Sequence, residues 1–270
     1  MALPRSFYEI QSGPAGGSVW QGRIPNTLVP EAWRPTLVYL PPQVSSTRRY
    51  PVVYLLQGFP GSPYEYAYGL QFATRADEFI TAHLLPPFIA VIPPAGLTPK
   101  FRGEWTGVWE RYLVHDVVPW TDAHLPTRAD AIGRTIAGLS AGGYGAVDIA
   151  LRHPTSFATT ESWSGYFTAP RDGFPPGAGV SLLAAHDPSR LAKREAPLLR
   201  RLGTQFFLSS GTTHDRAGAR AAASFAAELS SLHITHRLWL APGGHDGALW
   251  RAQLPAALRY ALVPRPAARP

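Results

Sequence analysis

The sequence predicts an α/β fold, a mostly parallel sheet of about eight strands flanked by helices, and three observations carry this. Short apolar runs bounded by turn residues alternate with longer amphipathic stretches. The length of 270 residues suits one large α/β domain, so residues 1–270 are taken as a single unit. Hydrophobic residues make up 45% and charged residues 16%, enough apolar material for a core and too little charge for a disordered chain.

In order along the chain, residues 19–24 and 36–40 are expected to form an antiparallel opening pair. Strands at 52–56, 88–92, 135–139, 158–163, 205–209 and 237–240 follow. Helical periodicity covers 72–83, 112–124, 141–152, 216–230 and 248–261. Pro119 and Pro255 fall inside two of these stretches and predict a kink or break there. Residues 167–201, rich in Gly and Pro before a Leu/Ala/Arg helix, are too long for an ordinary connection and predict a short cap over the site.

The formal net charge is +7, but the arginines are scattered in ones and twos, as at Arg48, Arg49, Arg200 and Arg201. No basic run interleaved with aromatics is present, so no nucleic-acid partner is expected. The absence of cysteine excludes disulfides, thiolate catalysis and cysteine-bound metals. Residues 1–20 contain no apolar core and no run reaches about 18 apolar residues, so neither a signal peptide nor an integral membrane segment is expected. The compartment, cytoplasmic or exported, and the oligomeric state stay open.

The strongest motif is Gly138-Leu139-Ser140-Ala141-Gly142, which ends a β-rich run and opens a helix-like one. A serine on so tight a turn needs glycine two residues to either side, where a side chain would strike neighbouring strands. The helix N-terminus beside it offers unpaired amides and a favourable dipole to a developing negative charge, and the Ala141 N–H is the expected oxyanion donor. Gly142-Gly143-Tyr144-Gly145 could instead cradle phosphate. However, neither Gly-x-Gly-x-x-Gly nor Gly-Lys-Ser/Thr follows the strand, which counts against a nucleotide site. A second donor is expected from the Phe59 N–H, in the Gly/Pro turn that ends the run Val53-Tyr54-Leu55-Leu56.

A Ser, then acid, then His order points to His245, which sits in the loop Pro242-Gly243-Gly244-His245-Asp246-Gly247 before the terminal helix. His233 and His236, three apart on a strand, face opposite ways and cannot share a metal. His153, before Pro154, has the place of a helix end. Asp215 follows a late strand and opens a helix, so it is the candidate acid, and it equally suits a helix N-cap. Asp187 is the rival, and Asp246 lies too close to His245 to reach its far ring nitrogen. Ser140, Asp215 and His245 would then work as one unit through an acyl-enzyme, with no metal or cofactor. Trp105, Trp109, Trp163 and Tyr166 are candidate walls of an aromatic cleft, with Trp105, in the 103–107 loop, expected to be the most exposed.

These residues resemble the esterase D-like branch of the α/β-hydrolases, a group that includes feruloyl esterases and mycolyltransferases. The resemblance runs through Leu55-Leu56-Gln57-Gly58, residues 112–120 after Trp109-Glu110, and residues 138–145 with Arg152-His153-Pro154. It continues through Ser164-Gly165-Tyr166-Phe167 and Gly243-Gly244-His245-Asp246 before Trp250. It implies a nucleophile at Ser140, a base at His245, an acid at Asp215, oxyanion amides at Phe59 and Ala141, and a small-molecule, lipid or aryl ester as substrate. The chain departs at Gln57, where many relatives have His or Asp, and at Gly247, where an aromatic often follows. Two other functions fit the same fold: an acyltransferase with a sugar or lipid hydroxyl as acceptor, and a non-catalytic binding protein.

Overall fold

The computed structural model describes residues 3–26, 29, 35–98, 101–102, 105–170, 174 and 179–263. The chain opens with β1 (Tyr8–Ser12), β2 (Ser18–Gly22) and β3 (Thr36–Leu40), each antiparallel to the next. The parallel part of the sheet consists of β4 (Val52–Leu56), β5 (Ile89–Ile92), β8 (Arg134–Leu139), β9 (Thr159–Trp163), β10 (Gln205–Gly211) and β11 (Thr235–Ala241). The order is β1-β2-β3-β5-β4-β8-β9-β10-β11, nine strands where the sequence predicted about eight. The extra strand, β1, is exposed or half-buried throughout, so it lacks the apolar signal that marks the others. A two-stranded ribbon, β6 (Leu97–Thr98) with β7 (Phe101–Arg102), stands apart from this sheet.

Period-two alternation sorts the strand residues between two cores. Val53 and Leu55 of β4, Ala137 and Leu139 of β8 and Phe207 of β10 pack with α1 (Phe72–Thr81) and α8 (Gly247–Leu262). Val52, Tyr54 and Leu56 face the other way, with α2 (Val108–Arg111), a π-helical stretch (Tyr112–Val117), α3 (Val118–His124) and α4 (Ala141–Arg152). A third cluster joins α4, α6 (Pro188–Leu202) and α7 (Arg216–Ser231) through Val147, Leu151, Leu191, Leu199, Phe206 and Phe225.

This third cluster narrows the expected cap. Residues 188–202 form a crossover helix that buries Leu191, Ala192, Ala196 and Leu199 against the sheet layer, so among the described residues α5 (Val180–Ala185), which buries nothing, is the helix of this segment that stands outside it. Residues 171–173 and 175–178 of that segment lie outside the described residues. Pro119 falls in the first turn of α3, just after the π-helical stretch, where its missing N–H is harmless. At Pro255, by contrast, α8 runs on without a break, because the proline is on the exposed side while Leu254, Ala257 and Leu258 anchor the helix in the core. Among the described residues no helix is long and apolar enough to cross a membrane.

The connection leaving β4 leads to β5 on one side, and the chain returns to β8 on the other. This reversal opens a crevice at the carboxyl ends of β4 and β8, where open α/β sheets bind ligands. The register sets Leu56 opposite Gly138, so the turn after β4 adjoins the turn after β8.

Candidate active site

Ser140 sits on that second turn with φ 51° and ψ −116°, a backbone conformation that costs a non-glycine residue about 1–3 kcal/mol and persists only where the surroundings impose it. Here the Ser140 N–H donates to Trp163 O at 2.8 Å, and the Tyr144 N–H donates to Ser140 O at 3.1 Å. The flanking glycines are required by contact. A Cβ on Gly142 would stand 2.1 Å from Leu56 O, and one on Gly138 would stand 2.3 Å from the Gly142 carbonyl. The Ser140 hydroxyl makes no hydrogen bond among the described residues, and Ala141 begins α4 with the unpaired amides of a helix start.

The turn after β4 lies against the serine: a Cβ on Gly58 would be 3.4 Å from Ser140 Cβ. Gln57 braces this turn, its Nε2 donating to Gly61 O at 3.0 Å and to Ala95 O at 2.7 Å. Trp105 Nε1 adds a bond to Gln57 O at 3.0 Å. A buried side-chain amide with two such acceptors fixes the loop from which Phe59 projects.

The acid and the base meet in the loops that follow β10 and β11. Asp215 Oδ2 lies 3.0 Å from His245 Nδ1 and accepts from Ser210 Oγ at 3.0 Å, while Oδ1 accepts from the Gly218 N–H at 3.2 Å. One carboxylate therefore caps α7 and binds the imidazole, so the two roles weighed for Asp215 coincide. The rivals are occupied elsewhere. Asp187 caps α6 through the Arg190 N–H, and Asp246 caps α8 through the Ala248 and Leu249 N–H groups. The loops carrying Asp215 and His245 are tied together where the Thr213 and His214 N–H groups both donate to Gly243 O at 3.1 Å. The His245 ring meets Trp250 edge-on at 5.3 Å, and Trp250 Nε1 donates to Ser164 Oγ at 3.2 Å. Sequence alone assigns no part in the site to Ser210 or Ser164 and no bracing role to Gln57, although Gln57 and Ser164 lie in segments that carry the family resemblance.

Three of the four expected cleft aromatics prove to be structural. Trp105 is 0% exposed rather than the most open, because its indole is spent on the Gln57 carbonyl. Trp109, 2% exposed, donates to Gly96 O at 3.1 Å, and Trp163, 0% exposed, donates to Glu161 Oε2 at 2.9 Å. None of the three has surface to offer a substrate. Tyr166 is half-buried and stacks on Tyr144 at 5.0 Å.

Among the described residues one group has metal-ligand spacing: Glu110, Asp148 and His186. One oxygen of each carboxylate and one nitrogen of the imidazole are already engaged. Glu110 Oε1 takes Arg152 Nε and His153 Nε2, both at 2.8 Å, and Asp148 Oδ2 takes His186 Nδ1 at 2.7 Å. Burial pushes the Glu110 carboxyl up, but the bonds from His153 and Arg152 outweigh this and hold it below the usual range. A guanidinium on the same carboxylate opposes a second cation. The group therefore works as an ion-pair network tying α2 and α4 to residue 186, the C-cap of α5.

Glu161, behind Trp163 in β9, is fully buried, and burial drives its carboxyl well above the ordinary range. The folded chain thus keeps a proton that the unfolded chain releases near pH 4.3, so stability falls as pH rises above that point. Glu161→Gln removes this penalty. Its melting temperature should match wild type at pH 4 and exceed it at pH 8 by at least about 2–4 °C, the shift that about 1 kcal/mol produces in a domain this large. Equal melting temperatures at both pH values would contradict a protonated Glu161.

Comparison with known proteins agrees with this architecture. A family model described as "Putative esterase" matches residues 31–261. The chain is 28% identical over 174 residues to Esterase Rv1288 of Mycobacterium tuberculosis, covering 62% of this chain and 33% of that protein. It is 33% identical over 114 residues to an endo-1,4-beta-xylanase/feruloyl esterase of Xylanibacter ruminicola, covering 40% of this chain and 16% of that one. The chain thus spans about a third or less of the length of these curated relatives. Among solved structures, a ferulic acid esterase superposes with a TM-score of 0.77 at 18% identity, over 91% of this chain and 98% of the other. An S-formylglutathione hydrolase from Agrobacterium tumefaciens gives a TM-score of 0.71 at 16% identity, over 97% and 98%. With the family model spanning most of its length, the chain belongs to the esterase family and has the α/β-hydrolase fold.

Proposed function

We propose that this esterase hydrolyses carboxylic esters through an acyl-enzyme on Ser140, with Asp215 and His245 completing a catalytic triad. The observation that carries the reading is the 3.0 Å contact between His245 Nδ1 and Asp215 Oδ2, in loops that leave the same carboxyl edge of the parallel sheet as a serine held at a strained φ. A carboxylate at Nδ1 keeps the proton there, which leaves Nε2 free to take the hydroxyl proton of Ser140. Ser140 Oγ then attacks the ester carbonyl, and the resulting oxyanion is met by the N–H groups of Phe59 and Ala141. As the intermediate collapses, the alkoxide leaves with the proton from His245, and water repeats the sequence to release the acid. None of these steps calls on a metal or cofactor.

Small aryl esters and thioesters are the substrates to try first, since solved proteins that share the fold are named a ferulic acid esterase and an S-formylglutathione hydrolase. A fluorophosphonate probe tests the reading. It should stop p-nitrophenyl ester hydrolysis and leave its mass on the peptide containing Ser140. A modification elsewhere, or turnover that survives full labelling, would overturn it.

A further inference from the structure

Glu65 is an acid that the triad does not use. It opens the π-helical turn Glu65–Gly69 just after the oxyanion-side loop, and its N–H donates to Ser62 O at 3.0 Å. Its Oε2 is closed off from solvent and makes no hydrogen bond among the described residues. The carboxyl packs against the 58–61 turn. A Cβ placed on Gly61 would stand 3.1 Å from Glu65 Oε2 and 2.4 Å from Gly58 O. Gly58 in turn lies against Ser140 Cβ, so the acid and the nucleophile touch the same short piece of backbone.

Glu65 as a residue is half-buried, but a carboxylate oxygen shut off from solvent without a hydrogen bond is costly, and such groups concentrate where function imposes them. Burial pushes Glu65 above the usual carboxylate range, while the Gly58 amide facing it and the charge of His245 pull it back down. Both counteracting groups belong to the active site. Gln57 already holds the turn by the carbonyls of Gly61 and Ala95, and nothing in that brace fixes the Gly58 amide.

We infer that Glu65 is a positioning residue of the active site, holding the 57–61 turn so that the Phe59 N–H is aimed at the acyl oxygen. The inference rests on the oxyanion reading above. The Phe59 N–H is aimed by the dihedrals of Gly58, and glycine by itself resists neither. A carboxylate oxygen packed against Gly61 and closed off from solvent limits how far that turn can move.

The test uses p-nitrophenyl butyrate with the intact chain. Glu65→Ala and Glu65→Asp are expected to lower kcat by about tenfold or more, as loss of an aligned oxyanion donor does, with KM within about twofold of wild type. Glu65→Gln keeps an oxygen acceptor in place and should recover kcat to within about threefold. The shortened acid in Glu65→Asp reads the same geometry if Glu65→Ala does not fold, and melting temperatures confirm which variants are folded. A Glu65→Asp kcat within about twofold of wild type overturns the inference. So does a loss carried by KM, or Glu65→Gln as impaired as Glu65→Asp. Ser140→Ala, run in parallel, separates the two readings: turnover surviving there breaks the nucleophile assignment, whereas turnover lost there with Glu65 variants unchanged overturns only the role of Glu65.

Discussion

Ser140→Ala is expected to lower kcat for ester hydrolysis by on the order of 10⁴–10⁶-fold while the protein stays folded. The size follows from the chemistry: without the hydroxyl there is no acyl-enzyme, and only binding and the backbone donors remain to help water attack. The fold should hold because alanine keeps the Cβ that packs against Gly58, and φ 51° strains alanine no more than serine. Steady-state kinetics and a thermal melt check both halves. Turnover near the wild-type level in a folded variant would remove Ser140 from the mechanism.

Asp215→Asn should cost nearly as much, about 10⁴-fold in kcat, for a different reason. An amide can present its N–H to His245 Nδ1, which moves the imidazole proton to Nε2 and points the wrong nitrogen at the serine. Asparagine is as good an N-cap as aspartate, so α7 should keep its start and the melting temperature should barely move. Asp215→Ala, by contrast, loses the cap to the Gly218 N–H as well and should cost about 1 kcal/mol of stability in addition. If Asp215→Asn retained wild-type kcat, the carboxylate would be a cap and nothing more.

The parts legible in the sequence are those where chemistry forces a local spacing. Gly138 and Gly142 had to flank Ser140 because backbone passes within van der Waals contact of both, and that constraint is visible as a five-residue pattern. The glycines around His245 mark its loop in the same way. The buried strands announced themselves by apolar runs, and their ends shifted by only one or two residues. What escaped depended on contacts between distant segments. Strand β1 is held by backbone pairing to β2 with little side-chain burial, so its residues carry no signal. Trp105, Trp109 and Trp163 have the composition of a cleft wall, but each indole N–H found a buried acceptor, and a tryptophan satisfied in that way is core. The helix 188–202 has a composition that fits a lid or a layer equally, and only the apolar surface of α4 and β10 decides between them. Glu65 is one acid among eighteen acidic residues, distinguished only by the turn it lies beneath.

The doubled duty of the Asp215 carboxylate makes the route out of catalysis short. Serine or threonine there would still start the helix, so one codon could silence the chemistry and leave a well-formed, ester-shaped cleft behind. A descendant of this kind would persist as a receptor for the molecules its ancestor cut, with nothing in its stability to betray the change.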